Sequence, residues 1–460
     1  MSERDRPINE DVEQIEYDSP AQVAEEERLD PYGEGPLIAR LTALFRKESV
    51  RKRLLAPLGV DGLILITNLA TGIIVARALG PDGRGELAAT LLISQIAAWS
   101  TNIGSTEAIS YHHSRHPEDA GRLLTSWLGL IVPLSLLAVA GSILLLPALF
   151  AAQTDQALDL AQIYMLSVPL ILLQGVFAGT LLGDEDFNFY NLTRFVLPAF
   201  AAVSYALLWL VDDFTVAWAL GANAAANLIT VALLAWRTLR RYPLGGFDWP
   251  LLKKTSWYGL KSHGGSISAT INARLDLAII PAFLSAAAVG LYSVATNISS
   301  ILPVLTGTVA LMLLPVAARR QGSARTVILT MQATVGIALA VAIPLEILAP
   351  FALSLIYGSG FEDAAEPLRL LLPGAVAQAA GTVLWSGMLA EDRPFLASMA
   401  IVPGAIATVI GLIVFLPTYG LNAAAIITTV VYLGELVALA ELYRRTLKIR
   451  WRDYLIPPPA

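Results

Sequence analysis

The stretch from 258 to 283 carries the most chemistry in apolar company. Arg274 stands inside it, and Ser268, Asn272 and Asp276 follow at four-residue steps along one helical stripe. A guanidinium among apolar residues calls for an anion, and its planar fork matches two oxygens of a phosphate. Two residues turn a helix by about 200°. Arg274 is therefore expected off the face that carries Asn272 and Asp276; the alternative to substrate contact is a structural pair with Asp61, Glu346 or Glu435. Lys261 and His263 lie earlier in the stretch, placed to meet an anionic headgroup first. A second stripe holds Asp61 and Asn68, and a third holds Ser293, Asn297 and Ser300. Such stripes either line a polar cavity or make helix–helix hydrogen bonds. Arg194 and Arg369 fall at the ends of apolar runs, where snorkelling is expected.

Three other motifs invite a chemical reading. "VARALGPDGRGELAA" (75–89) sets Gly80, Gly83 and Gly85 beside Arg77 and Arg84. The glycine spacing is neither a dinucleotide fingerprint nor a Walker A loop, and no strand precedes it. It reads as a tight turn, with Arg77 and Arg84 left to contact phosphates of lipids or of an emerging cargo. His112 and His116 could share a metal if helical, but the segment precedes Pro117 and no metal site is expected. "DED" at 184–186 is expected to be a capped turn rather than a metal-binding carboxylate pair.

Something must hold these residues, and composition says what. The chain is 55% hydrophobic and 15% charged, with a mean hydropathy of +0.62 and no cysteine. Soluble domains are nearer a quarter charged, so a bilayer is the expected solvent. A crossing needs roughly 20 apolar residues. Twelve such runs are predicted, near 54–76, 87–109, 123–149, 158–182, 193–211, 215–236, 258–283, 290–316, 326–349, 367–389, 396–416 and 421–443. Lys and Arg gather at 51–53, 115–122, 237–254, 319–325 and 444–452, whereas the turns near 151–157, 212–214, 284–289 and 417–420 carry none. By the positive-inside rule both termini are cytoplasmic, in a multi-pass cell-membrane protein, and the 77–86 turn lies outside. The expected organisation is an acidic disordered tail (1–36), an interfacial amphipathic helix (37–53), an N-lobe (54–236), a basic linker (237–257), a C-lobe (258–443) and a cytoplasmic tail (444–460).

The two lobes are predicted to be copies. "GELAATLLISQI" from Gly85 aligns with "GLYSVATNISSI" from Gly290 at an offset of 205, and "GTLLGDEDF" from Gly179 with "GMLAEDRPF" from Gly387 at 208. Six spans per unit is even, so both copies face the same way. The fold class expected is an all-α polytopic membrane protein, with twelve transmembrane helices in two parallel six-helix lobes around a central cavity.

"IIVARALGPDGRGELAATLLISQIAA", "INARLDLAIIPAFLSAAAVGLYSVATNISSIL" and "GFEDAAEPLRLLLPG" from Gly360 resemble the polysaccharide-transport branch of the multidrug/oligosaccharidyl-lipid/polysaccharide exporter superfamily. The resemblance spans about 54–445. It implies a flippase, not an enzyme, that carries polyprenyl-diphosphate-linked oligosaccharide outward by alternating access for surface polysaccharide biosynthesis. The partners it implies are that cargo, membrane lipids and glycan-assembly proteins, with no nucleic acid and no cofactor. The polar positions read above fit such a cavity: Arg274, Asn272, Asp276, Asn68, Asp61, Asn297 and Lys261 are expected along it, with Asp61, Asp276 and Glu346 as candidates for proton or sodium coupling. Lipid II flippases of the superfamily usually have fourteen spans, which disfavours peptidoglycan precursor as cargo. A drug or cation antiporter is the first alternative, against which Arg274 argues. A membrane glycan polymerase or ligase is the second; the segment 350–366 lacks the Arg or His such enzymes carry in a large outer loop.

Overall fold

The computed structural model describes residues 48–272, 274–304, 307, 324–391 and 393–455. The chain divides into two compact units, Met1–Gly59 and Val60–Ala460. In the first, residues 48–59 are described and helical; the expected acidic tail and residues 37–47 of the expected interfacial helix lie outside the described residues.

Helices follow in the order α1 (Glu48–Thr101), α2 (Ser105–His113), α3 (Ala120–Leu149), α4 (Asp155–Tyr164), α5 (Val168–Gly183), α6 (Phe187–Leu210), α7 (Val216–Arg241), α8 (Trp249–Asn272), α9 (Leu275–Ile279), α10 (Ala286–Ser299), α11 (Ala324–Tyr357), α12 (Ala365–Ala390) and α13 (Pro394–Leu447). Among the described residues nine helical stretches are long and apolar enough to cross a membrane. Two of these, Gly59–Thr101 with 43 residues and Met399–Leu447 with 49, exceed one crossing. Each reverses at a glycine of positive φ, Gly80 (65°) and Gly420 (61°), a conformation that other residues adopt only with strain. Each therefore supplies two spans, which raises nine to eleven. The twelfth is the pair α8 and α9, which the break at Arg274 leaves in two pieces.

Apolar side chains point both ways. Trp127, Leu124 and Ile109 are fully buried between helices, while Leu144 (80% exposed), Leu210 and Phe351 face outward. So much outward apolar surface is what lipid solvates and water does not. In the first half α5 packs on α2, α3 and α7; in the second, α12 packs on α10, α11 and α13.

Two predicted spans are interrupted. The second breaks at Asn102–Gly104, where Ile103 and Gly104 take φ of 43° and 74° and the Asn102 carboxamide caps Ser105. The reason lies in packing: a Cβ on Gly104 would overlap the Gly259 carbonyl, so α2 meets α8 backbone to backbone. The fourth is α4 and α5 joined by a 3-10 turn at Met165–Ser167 ahead of Pro169.

Candidate functional site

Chemistry gathers where span seven breaks. α8 ends at Asn272 and α9 begins at Leu275, with Arg274 between them in a non-helical conformation (φ −135°, ψ 2°). The continuous helix expected over 258–283 is corrected here. So is the face assigned to Arg274: once the backbone leaves the helix, Arg274 and Asp276 line the same cavity of 240 Å³. Its other walls are Thr296 and Ser299 of α10, Gln378 of α12, and Thr428 and Tyr432 of α13.

Asp276 is 6% exposed. One carboxylate oxygen accepts from the Tyr292 hydroxyl at 2.6 Å and the Thr428 hydroxyl at 3.2 Å; the other accepts from the Leu277 N–H at 2.7 Å. Arg274 is near enough for its charge to act on that carboxylate. Asn297 is half-buried on α10, and the side chain of Asn272 lies outside the described residues. A carboxylate, a guanidinium and a ring of hydroxyls at this depth can hold a proton or small cation at one end and an anionic oxygen at the other.

The first half carries a similar chain. The Tyr164 hydroxyl donates to Asn223 Oδ1 at 2.6 Å, Asn227 Nδ2 donates to the same oxygen at 3.0 Å, and Gln174 Nε2 donates to Asn227 Oδ1 at 2.8 Å. The offset of 205 carries Asn223 onto Thr428 and Asn227 onto Tyr432, and Gln174 falls one residue out of register with Gln378. Tyr292, Gln378, Thr428 and Tyr432 fall outside the stripes read from the sequence. The repeat offset is the signal that could have found three of them.

At the end of the bundle that carries the Gly80 turn, the halves meet in a seam. A Cβ on Gly85 would overlap the Ala286 carbonyl, and one on Gly290 the Pro81 carbonyl. The two glycines aligned by the repeat thus face each other. Arg84, 8% exposed, donates to Ser293 Oγ and to the Gly72 carbonyl, each at 3.3 Å. Arg77 donates to the Ile356 and Leu355 carbonyls at 2.9 and 2.6 Å. Gln153 donates to the Pro281 and Leu284 carbonyls at 2.9 and 2.7 Å. Both arginines, expected as phosphate contacts, are engaged in this seam.

The other expected site residues stand apart. Asp61 pairs with Arg194 at 2.7 Å, both half-exposed or nearly so, which gives Arg194 a partner where snorkelling was expected. Asn68 is exposed on α1, and Lys261 is exposed with its ammonium 4.9 Å above the Trp257 ring. Glu346 is exposed, and its backbone carbonyl, not its carboxylate, accepts from Arg369 at 2.9 Å.

At the opposite end of the first half, "DED" is a capped turn, as expected. Asp186 caps Phe189 and pairs with Arg237. Asp184, its side chain 7% exposed, accepts from Tyr242 at 2.7 Å, lies 2.9 Å from His113 Nε2 and meets Arg241 at 3.5 Å. Burial and this carboxylate together push the Tyr242 phenol above its usual range. His112 and His116 each pair with a carboxylate, Asp119 and Glu118. Asp184→Ala strands the buried His113 ring and removes the acceptor of the part-buried Tyr242 hydroxyl, and is expected to cost about 1–3 kcal/mol. Thermal unfolding in detergent checks this; an unchanged melting temperature contradicts the assignment.

An all-α membrane protein of two similar six-span halves, each with a buried polar chain, has the architecture of a secondary transporter. Comparison with known proteins sharpens the class. The profile of the family described as "polysaccharide biosynthesis protein" matches residues 74–366, more than half of the chain. The chain belongs to that family. Among solved structures, it is similar to the lipid II flippase MurJ in an inward closed conformation, with 12% identity, a TM-score of 0.72, and 87% of this chain and 89% of that one covered. It is also similar to an inward-facing MATE multidrug transporter, with 19% identity, a TM-score of 0.68, and 88% and 100% covered. A further likeness is to a superfamily transporter from Pyrococcus furiosus described as having a binding pocket of reverse polarity, with 17% identity, a TM-score of 0.54, and 86% and 93% covered. At these identities the likeness is one of fold. No curated protein matches the chain significantly in sequence.

Proposed function

We propose that this protein flips an oligosaccharide carried on a polyprenyl diphosphate from the inner to the outer leaflet, by alternate opening of its two halves. The observation that carries the reading is the broken seventh span, which sets Arg274 and Asp276 in one polar cavity within a polysaccharide biosynthesis family member. Arg274 takes an oxygen of the cargo's diphosphate. Asp276, held by Tyr292 and Thr428, takes the coupling proton or cation. A lipid-linked cargo accords with the flippase among the similar structures, and transport rather than catalysis with all of them. The distribution of basic residues favours both termini in the cytoplasm and the Gly80 seam outside. Outward movement of negative charge against a negative interior gains about 2.3 kcal/mol per charge per 100 mV.

In cells that depend on this protein for surface glycan, Arg274→Ala is expected to lower display about tenfold or more, the loss of one charge-assisted contact. Lipid-linked oligosaccharide accumulates on the inner leaflet. Extraction and quantification of that lipid check it, and normal display with no accumulation removes Arg274 from the mechanism.

A further inference from the structure

A second concave surface lies at the end of the bundle opposite the Gly80 seam, and its chemistry differs from that of the Arg274 cavity. It encloses 370 Å³ between the break in span two, α3 and the first half of α8. Its lining is apolar, with Ile103, Leu130, Trp249, Trp257 and Leu260, and one cation, Lys253. Trp249, Trp257 and Leu260 are 62%, 60% and 50% exposed, so the groove opens outward. From Trp249 to Leu260 the helix rises about 16 Å, about half the hydrocarbon thickness.

We propose that this groove holds the first isoprene units of the cargo's polyprenyl chain. The inference rests on the flippase reading and names where the lipid docks. Three observations select this occupant. The groove is apolar apart from Lys253 and Ser256 and opens outward, which suits an apolar chain. Its cations complement a diphosphate: Lys253 lines it, and Lys261 sits over Trp257, two turns further on. α8 carries Lys253 and Lys261 and ends at Asn272, just ahead of Arg274 in the polar cavity, so the three cations follow in chain order. A tail seated in the groove leaves its diphosphate beside the lysines, at the start of that ladder. The wall at Ile103 belongs to the left-handed break that separates α2 from α1.

The test uses the full chain in nanodiscs of phosphatidylethanolamine and phosphatidylglycerol, with a polyprenyl diphosphate bearing a benzophenone near its diphosphate end. Adducts are mapped by peptide mass spectrometry. The expected result is labelling at Ile103, Leu130 or Leu260, competed by unlabelled polyprenyl diphosphate and not by added phosphatidylglycerol. Lys253→Glu is expected to lower that labelling about tenfold, and Leu260→Trp to fill the groove and remove it. Mapping on the unaltered chain stands even if a variant fails to fold. Adducts elsewhere on the protein, competed by polyprenyl diphosphate, overturn the groove and leave the flippase reading intact. Equal competition by phosphatidylglycerol overturns the assignment of occupant. An absence of competed adducts anywhere on the chain overturns both the groove and the cargo.

Discussion

Gly85→Leu is expected to cut transport about a hundredfold while the protein still inserts and folds. The cause is steric. In the closed seam there is no room for a Cβ at Gly85, because the Ala286 carbonyl occupies that place, and the obstacle is backbone that no rotamer change can move. Overpacking costs about 1–3 kcal/mol even in cores that can adjust. Here the cost falls on one state alone, because separating the halves relieves it. A penalty of about 3 kcal/mol on the closed state shifts its population more than a hundredfold. Gly290→Leu is expected to act alike through the Pro81 carbonyl. The chain has no cysteine, so Ser293→Cys gives a clean reporter. Ser293 is 2% exposed beneath Arg84. An impermeant maleimide added from outside is expected to label it much faster in Gly85→Leu than in the parent. Labelling equal in both, with transport intact, contradicts the seam as a gate.

The second large effect is expected at Asp276. Asp276→Asn keeps an oxygen to accept from Tyr292 and Thr428, but removes the charge and leaves the Leu277 N–H facing an amide nitrogen. Transport is expected to fall about a hundredfold, with a stability loss of about 1 kcal/mol. Asp276→Leu strands both hydroxyls and costs a further 2–4 kcal/mol or so. The contrast separates coupling from scaffolding. If Asp276 only braces the half, Asn sustains transport and Leu fails by unfolding. If it carries the ion, Asn fails while its melting temperature stays near that of the parent.

Much of this architecture is legible in the sequence because it rests on strong, repetitive signals. Hydropathy marks the spans, and an offset near 205 marks the duplication, down to the glycine pair that meets across the seam. The glycine-rich stretch at 75–89 reads correctly as a turn, since Gly80 takes a positive φ ahead of Pro81. Breaks within spans are another matter. Nothing in "ATINARLDLAI" announces that the helix stops at Arg274, and a helical wheel drawn through a break misplaces every residue beyond it. Pairings between distant spans, such as Asp61 with Arg194, depend on packing angles that periodicity does not encode. Arg84 is the clearest case. In a turn it reads as an exposed cation, yet its helix begins at the seam and the opposite half covers it.

The central claim is outward movement of a lipid-linked glycan, and reconstitution tests it most directly. The purified full chain is placed in liposomes that carry a fluorescent polyprenyl-diphosphate oligosaccharide in both leaflets, and a membrane-impermeant glycosidase is added outside. A flippase carries digestion past the half accessible at the start and toward completion with the parent protein. With Arg274→Ala, digestion beyond one half is expected to proceed about tenfold more slowly or worse. Digestion that halts at one half with the parent protein, or that proceeds equally with Arg274→Ala, contradicts the claim.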